Sequence, residues 1–190
     1  MSCYTYEELK SLGIAEVGEN VMVHRTVQFF SPHNIHLGNN VRIDCFSLLS
    51  AGVEGIYVGS RVHIAAGCYL FGVGGRIQIS DFCGLSSRVT IYTSTDDYSS
   101  GYMTNPTVPD EYRKVTNGSV TLNKHALIGS GSIVMPNVEI GEAVSIGALT
   151  FINKNIGSFN IVHGNPARLI GKRSEKILEM ERSFLDAAKP

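Results

Sequence analysis

Two adjacent carboxylates, Asp96 and Asp97, begin a polar stretch of the chain that reads DDYSSGY. Burial and a neighbouring like charge both raise the pKa of a carboxylate, and a raised pKa suits a group that must accept a proton near neutral pH. The pair is therefore a candidate for general-base chemistry. The alternative is structural: the two carboxylates cap a turn at the start of a loop.

His125 is a second candidate base, because an imidazole titrates near neutral pH. It stands in the phrase VTLNKHALI, where a related phrase of the chain, IHLGNNVRI, has Asn40. The alternative is that His125 occupies a tight corner that asparagine occupies elsewhere. Three side chains that follow Asp96 and Asp97 in the chain suit a sugar ring, since aromatic faces and amides bind pyranoses. They are Tyr98, Tyr102 and Asn105.

Composition limits what can position these groups. The chain has 190 residues, of which 43% are hydrophobic and 17% charged, and this predicts one domain with a sizeable core. A net charge of -1 argues against a nucleic-acid partner. No apolar run approaches the roughly 18 residues that span a bilayer, and the polar start MSCYTYEELK is unlike a secretory signal. We expect a cytoplasmic protein without membrane insertion.

The four cysteines show neither a C-x-x-C pair nor a zinc-site spacing, so we expect reduced thiols and no metal. Cys68 and Cys83 stand where the repeat described next has Ser47 and Val41. We interpret both as small core residues and not as nucleophiles.

One phrase recurs along the chain: aliphatic, any, aliphatic, usually Gly, two polar residues, a small residue, any, aliphatic. Its copies begin at Ile35, Ile56, Ile77, Val120 and Val138, separated by 21, 21, 43 and 18 residues. A weaker copy begins at Val17. Regular recurrence at this period predicts stacked coils of a solenoid.

A six-residue phase runs inside the repeat, with aliphatic residues at Ile128, Val134, Ile140, Ile146 and Ile152. Three sixes make one triangular coil, in which short strands form flat faces and Gly, Asn or Asp turn the corners. A sandwich or barrel would show two-residue alternation and hairpin turns instead. The fold prediction is all-β: a left-handed parallel β-helix with a long loop and short terminal α-helices.

The spacing of 43 exceeds one 18-residue coil, and the surplus lies in a segment without hexad phase. We expect one domain over 1–190, with the β-helix over 17–170 and a loop over about 96–118. Long excursions from a rigid solenoid are commonly binding loops or lids. A capping box at Thr5 predicts a helix over 5–13, and amphipathic spacing predicts another over 174–189.

These features resemble the hexapeptide-repeat acyltransferases, in particular the branch with galactoside, maltose and xenobiotic acetyltransferases and polysaccharide O-acetyltransferases. Besides the hexads, the segment GNPARLI over 164–170 resembles the family's exit motif. The resemblance implies a homotrimer and acetyl-CoA bound in a groove between neighbouring β-helices. Matching GSGSIVMP, IGALTFINK and GNPARLI to the family assigns these residues to acetyl-CoA: Ser130, Ala148, Asn153, Lys154 and Arg168.

The sequence departs from the family at the catalytic base. Relatives of this branch carry a histidine at the start of the long loop, and the family pattern places Asp96 at that position. Three hypotheses stay open: Asp96 coupled to Asp97 is the base, His125 replaces the missing imidazole, or the site only positions the acceptor.

The resemblance favours O-acetylation of a sugar or nucleotide-sugar hydroxyl in surface polysaccharide metabolism. The first alternative is N-acetylation of a nucleotide-linked amino sugar. The second is a non-catalytic trimeric scaffold or CoA-binding protein.

Overall fold

The computed structural model describes residues 2–187, and their strands form three sheets wound around one core. The sheets are parallel except at one end of the eight-stranded sheet, where Arg168–Lys172 pairs antiparallel with Asn160–His163. The first sheet has six strands and contains Ile35–Leu37, the second has eight and contains His63–Ile64, and the third has six and contains Thr90–Tyr92. The chain visits each sheet once per coil. The fold is a left-handed parallel β-helix, as the hexad phase predicts. The last two residues of the helix predicted over 174–189 lie outside the described range.

The core is a stack of aliphatic side chains that point inward from successive coils. Ile35 pairs with Ile56, Ile56 with Ile77, and Ile77 with Val120, and all four are fully buried. Ile77 and Val120 are direct neighbours although 43 residues separate them in sequence. The extra residues therefore leave the helix and return without disturbing its register.

The corners of the coils hold residues with positive φ. One corner column consists of Asn40, Arg61, Phe82 and His125, with φ between 56° and 61°. Asparagine and histidine are enriched in the left-handed region, whereas arginine and phenylalanine are not. His125 is thus a corner residue, as the structural alternative for it proposed.

The loop begins and ends in a small antiparallel ribbon. Ser94–Asp96 pairs with Val115–Asn117, so that Asp96 lies opposite Val115. The excursion proper therefore covers 97–114, and the expectation of a plain loop over 96–118 is corrected by these two short strands.

Two helices cover parts of the β-helix. The first helix begins after Thr5, whose side chain accepts a hydrogen bond from the Glu8 amide while the Glu8 carboxylate accepts one from the Thr5 amide. This confirms the capping box. The second helix packs Phe184 edge-on against Phe82 of the corner column.

The elements, in chain order, are α1 Tyr6–Ser11, β1 Glu16–Val17, β2 Met22–Val23, β3 Gln28–Phe30, β4 Ile35–Leu37, β5 Arg42–Ile43, β6 Leu48–Ala51, β7 Ile56–Val58, β8 His63–Ile64, β9 Tyr69–Gly72, β10 Ile77–Ile79, β11 Gly84–Leu85, β12 Thr90–Tyr92, β13 Ser94–Asp96, β14 Val115–Asn117, β15 Val120–Leu122, β16 Leu127–Ile128, β17 Ile133–Val134, β18 Val138–Ile140, β19 Ser145–Ile146, β20 Phe151–Ile152, β21 Asn160–His163, β22 Arg168–Lys172 and α2 Lys176–Ala187. Single 3-10 turns cover Pro32–Asn34 and Asp110–Tyr112.

Candidate active site

A cavity of about 750 Å³ opens between the long loop and the third sheet. Its wall on the sheet side is aromatic: Phe71 and Tyr92 project from adjacent coils with ring centroids 5.2 Å apart, and Tyr69 extends the stack at 6.1 Å from Phe71. The loop side supplies Asp96 and Arg113. An aromatic floor with a few charged groups is typical of a site for a ring-containing, polar ligand.

Asp96 is placed in this cavity by strand β13. One carboxylate oxygen, Oδ2, accepts a hydrogen bond from the backbone N–H of Asn105 at 3.1 Å. The other, Oδ1, lies 4.0 Å from Nη1 of Arg113 and is buried without a hydrogen-bond donor. A buried acceptor without a donor is costly, so this oxygen is prepared to receive an N–H or O–H from a ligand.

Arg113 is the cationic counterpart of Asp96 in the cavity. Its Nη2 donates to Oδ1 of Asp110 at 2.7 Å, while its Nε is buried and has no acceptor. The side chain is only 15% exposed, so this unused N–H faces a protected environment. Two side chains that line the cavity thus carry one acceptor atom and one donor atom that the protein leaves unpaired.

Asp97 does not share the environment of Asp96. Its carboxylate accepts hydrogen bonds from the Ser100 hydroxyl at 2.6 Å and from the Ser99 backbone and hydroxyl, and it pairs with Lys114 at 3.1 Å. These hydrogen bonds, that of Ser100 first, hold the pKa of Asp97 well below its usual range. The expectation that the coupled pair raises one pKa is therefore wrong for Asp97, which organises the loop.

We predict that Asp97→Ala loosens the loop over 97–114 while leaving the β-helix folded. At pH 7 trypsin should cleave next to Lys114 about five-fold faster, because the anchor of the loop is gone. Since the folded pKa of Asp97 is depressed, the anchoring is fully present above the pKa of an unfolded aspartate and is lost as the pH falls from there through the lower pKa of the folded state. Glu111→Ala, which removes an exposed carboxylate of the same loop, is the control; equal cleavage of both variants would contradict the prediction.

His125 does not line the Asp96 cavity. Its ring stacks on Phe82 at 5.0 Å, its Nε2 lies 2.9 Å from Oε2 of Glu181, and the residue is 7% exposed. Lys124 pairs with the same carboxylate. Burial opposes ionisation of Glu181, but hydrogen bonds from Lys124 and His125 outweigh it and lower its pKa. His125 thus anchors α2, and the structure does not bring it together with Asp96.

The three predicted acceptor residues lie on the outer part of the loop. Tyr98 is 81% exposed and Tyr102 50% exposed, and neither lines the cavity. Asn105 contributes its backbone N–H to Asp96. Sequence reasoning missed Phe71, Tyr92 and Arg113; the two aromatic residues could have been found as outward neighbours of the buried Leu70 and Ile91.

The predicted cofactor residues divide between two sites. Asn153, Lys154 and Arg168 line one cavity of about 380 Å³ beside β21 and β22. Among the described residues, neither Lys154 nor Arg168 makes an ion pair. Two free cations beside a cavity suit an anionic ligand.

Ser130 lines a separate notch of about 260 Å³ on the second sheet. Ala148 follows it on the next coil, where the Leu149 amide donates to the Ser130 carbonyl. Ser130 and Ala148 are both exposed and have small side chains, so the backbone beside them can be reached by an extended ligand arm. We call this strip of the second sheet the small-residue edge.

The two cysteines that we interpreted as core residues lie in the core. Cys68 and Cys83 are buried, and burial raises their pKa values to about 11 and about 12, which confirms them as core residues.

No cluster of three or more metal-binding side chains occurs within residues 2–187. Neither described helix has the length and apolarity needed to cross a bilayer.

Comparison with known proteins identifies the class. The chain is 44% identical over 181 residues to a dTDP-4-amino-4,6-dideoxy-D-glucose acyltransferase from Escherichia coli, covering 95% of this chain and 94% of that protein. A variant of AntD, an N-acyltransferase from Bacillus cereus solved with dTDP-4-amino-4,6-dideoxyglucose and coenzyme A, superposes with a TM-score of 0.93 at 40% identity, covering 98% of both chains. AntD with dTDP and 3-hydroxybutyryl-CoA gives 0.93 at 41% identity, covering 98% of this chain and 97% of that one.

The β-helix and its loop-covered cavity therefore define an acyltransferase. The chain belongs to the hexapeptide-repeat, left-handed β-helix acyltransferases. No family model matches the chain.

Proposed function

We propose that this protein transfers an acyl group from acyl-CoA to the amino group of a nucleotide-linked amino sugar of the dTDP-4-amino-4,6-dideoxyglucose type. The observation that carries the proposal is Oδ1 of Asp96, a buried acceptor without a donor on a side chain that lines the aromatic-walled cavity. A sugar amino group placed there supplies the missing N–H. The relatives from Escherichia coli and Bacillus cereus, described by that substrate, support it.

The amine alternative replaces the main expectation of hydroxyl acetylation. A hydroxyl needs a base to become a nucleophile, whereas a neutral amine carries a free lone pair and attacks first, losing its proton later. An amine acceptor therefore needs the family's loop histidine, which this chain lacks, less than a hydroxyl acceptor does. The galactoside and maltose branch, and a part in surface polysaccharide metabolism, stay predictions.

The remaining parts of the cavity suit the rest of the acceptor. The stacked rings of Phe71 and Tyr92 offer a face for the sugar or for the nucleotide base. The unused Nε–H of Arg113 offers a charge-assisted hydrogen bond to a hydroxyl or phosphate oxygen.

We assign the donor to the edge marked by Ser130 and Ala148 and to the cavity with Lys154 and Arg168, as the resemblance implied. Backbone groups along the small-residue edge would hold the pantetheine arm, and the two cations would meet the phosphates. Acetyl is the expected acyl group, and the homotrimer is the expected assembly.

Free thiol released from acetyl-CoA tests the function. Two acceptors matched in all but one group are compared: dTDP-4-amino-4,6-dideoxyglucose and the same nucleotide sugar with a 4-hydroxyl. We expect turnover with the amine and at least about 100-fold less with the hydroxyl, because only the amine is nucleophilic without a strong base. Equal rates, or a preference for the hydroxyl, would contradict the proposal.

We predict that Arg168→Ala weakens acetyl-CoA binding about 10- to 100-fold if the guanidinium contacts a phosphate. Calorimetry with CoA and with dephospho-CoA, which lacks the 3′-phosphate, locates the contact. The loss should shrink with dephospho-CoA, whereas equal losses would exclude the 3′-phosphate. Arg182→Ala, on the exposed side of α2, is the matched control.

A further inference from the structure

His63 and Asp44 form a carboxylate–imidazole pair outside the cavity that holds Asp96. His63 lies on β8 and Asp44 directly follows β5, on the neighbouring coil. Nε2 of His63 is 2.8 Å from Oδ2 of Asp44. The second oxygen of Asp44 accepts a hydrogen bond from Nε of Arg42 at 2.7 Å, so that both carboxylate oxygens are used.

This geometry fixes one nitrogen of the imidazole and leaves the other free. With a proton on Nε2, the bond to Asp44 sets the tautomer, and Nδ1 presents a lone pair. Among the described contacts Nδ1 has no hydrogen-bond partner. The side chain is half exposed, so that a ligand can reach this nitrogen.

The imidazole lines the notch that also contains Ser130. Gly84 separates His63 from Leu127 along the second sheet, and its missing side chain opens the notch between them. Ser86 and Ser87 complete the wall toward the corner. The notch is therefore continuous with the small-residue edge to which we assigned the acyl donor.

We propose that His63, oriented by Asp44, is the group that accepts the proton released when the amide bond forms. The inference rests on the proposed function, since it requires an acyl-CoA in the notch and an amine as acceptor. The long loop lacks the histidine that relatives carry there. His63 supplies an imidazole from a different coil of the solenoid.

The charged groups that face His63 are few. Arg42 and Asp44 approach from the coil before it, while Gly84 and Ser86 of the coil after it carry no charge. Burial opposes ionisation of Asp44, but hydrogen bonds from His63 and Arg42 outweigh it and lower its pKa. Asp44 therefore stays ionised and can stabilise the imidazolium that forms during turnover.

The step balances without a further reactant. The amine nitrogen attacks the thioester carbonyl carbon, the C–N bond forms, the C–S bond breaks, and coenzyme A leaves as a thiolate. The nitrogen loses one proton to Nδ1 of His63. The imidazolium then returns this proton to the thiolate or to water.

Asp96 and His63 line cavities that share no residue, and these cavities lie on the third and the second sheet of the β-helix. If Asp96 holds the amine and His63 takes its proton, the two side chains come from different copies of the chain. The proposed homotrimer supplies such a second copy.

The test compares His63→Ala with His36→Ala, which removes an imidazole from the first sheet, using acetyl-CoA and dTDP-4-amino-4,6-dideoxyglucose. His63→Ala should lower kcat about 100-fold with little change in the acceptor KM, and added imidazole should restore part of the rate. Asp44→Asn keeps the shape of the side chain and should lower kcat by a smaller factor, because the imidazolium loses the carboxylate that stabilises it.

Mixed trimers provide a second readout. His63→Ala and Asp96→Asn are co-expressed so that their subunits mix at random. If each site takes His63 from one copy and Asp96 from a neighbouring copy, about a quarter of the sites should have both groups intact. Activity no higher than that of either parent would overturn the assignment, as would a raised acceptor KM with unchanged kcat in His63→Ala. A wild-type protein without N-acyl transfer would overturn the proposed function and this step together.

Discussion

Asp96→Asn is expected to lower kcat/KM for the amino-sugar acceptor about 100-fold while the KM for acetyl-CoA changes less than about three-fold. Asparagine keeps the shape, and its amide oxygen can still accept the N–H of Asn105. It removes the charge and turns a hydrogen-bond donor toward the amine. The charge-assisted hydrogen bond is thus lost, and the amide N–H competes for the lone pair with which the neutral amine attacks.

Asp97→Asn is the matched control for Asp96→Asn. Asp97 is the neighbouring carboxylate, but its oxygens are occupied by Ser99, Ser100 and Lys114. Asparagine, unlike alanine, keeps an oxygen that can accept the hydrogen bonds of Ser99, so that the loop stays anchored in part and this variant should lose far less kcat/KM. If both variants lose only a few-fold, Asp96 does not hold the acceptor, and the unpaired oxygen has only a structural role.

Gly129→Ala is expected to have the largest effect on stability, because successive coils touch backbone to backbone at this position. An added Cβ would lie 2.5 Å from the Ala148 nitrogen and 2.5 Å from the Gly147 carbonyl carbon. Both atoms belong to the backbone of the next coil, so neither can turn aside. The Gly129 amide also donates to the Ile146 carbonyl, and separating the coils would break this bond.

We expect Gly129→Ala to lower stability by about 3 kcal/mol or more, measured as an earlier thermal unfolding transition. Gly157→Ala is the control, since a Cβ there meets only Asn160 Nδ2 at 3.6 Å. A shift of the same size in both variants would show that the glycines act through the flexibility of the unfolded chain and not through coil contact.

The coils were predictable because the hexad phase reports which side chains point inward. Ile128, Val134 and Ile140 are all fully buried. The corners were only partly predictable. Asn40 suits a positive φ, whereas Phe82 and Leu149 adopt one because the solenoid on either side fixes the corner.

The candidate site was harder to predict from the sequence than the coils were. Counting along the family pattern placed Asp96 at the start of the loop, where the structure gives it a cavity. The pairing with Asp97 failed because adjacent residues at the end of a strand point to opposite sides, so that adjacency in sequence does not bring two carboxylates together. Arg113 had no signal, since its loop follows no period.

The contact between Asp44 and His63 could have been found from the period alone. Coils of about 21 residues place Arg42 beside His63, and Asp44 lies two residues further along the same edge. Contacts between coils follow from the repeat, whereas contacts within the loop do not.

The most direct test of the central claim is the position of the acyl group in the product. The wild-type protein is incubated with acetyl-CoA and dTDP-4-amino-4,6-dideoxyglucose, and the purified product is fragmented in a mass spectrometer and treated with mild base. We expect one acetyl group, on the 4-amino nitrogen as an amide that survives mild base. An acetyl ester on a sugar hydroxyl, lost under the same treatment, would contradict the account.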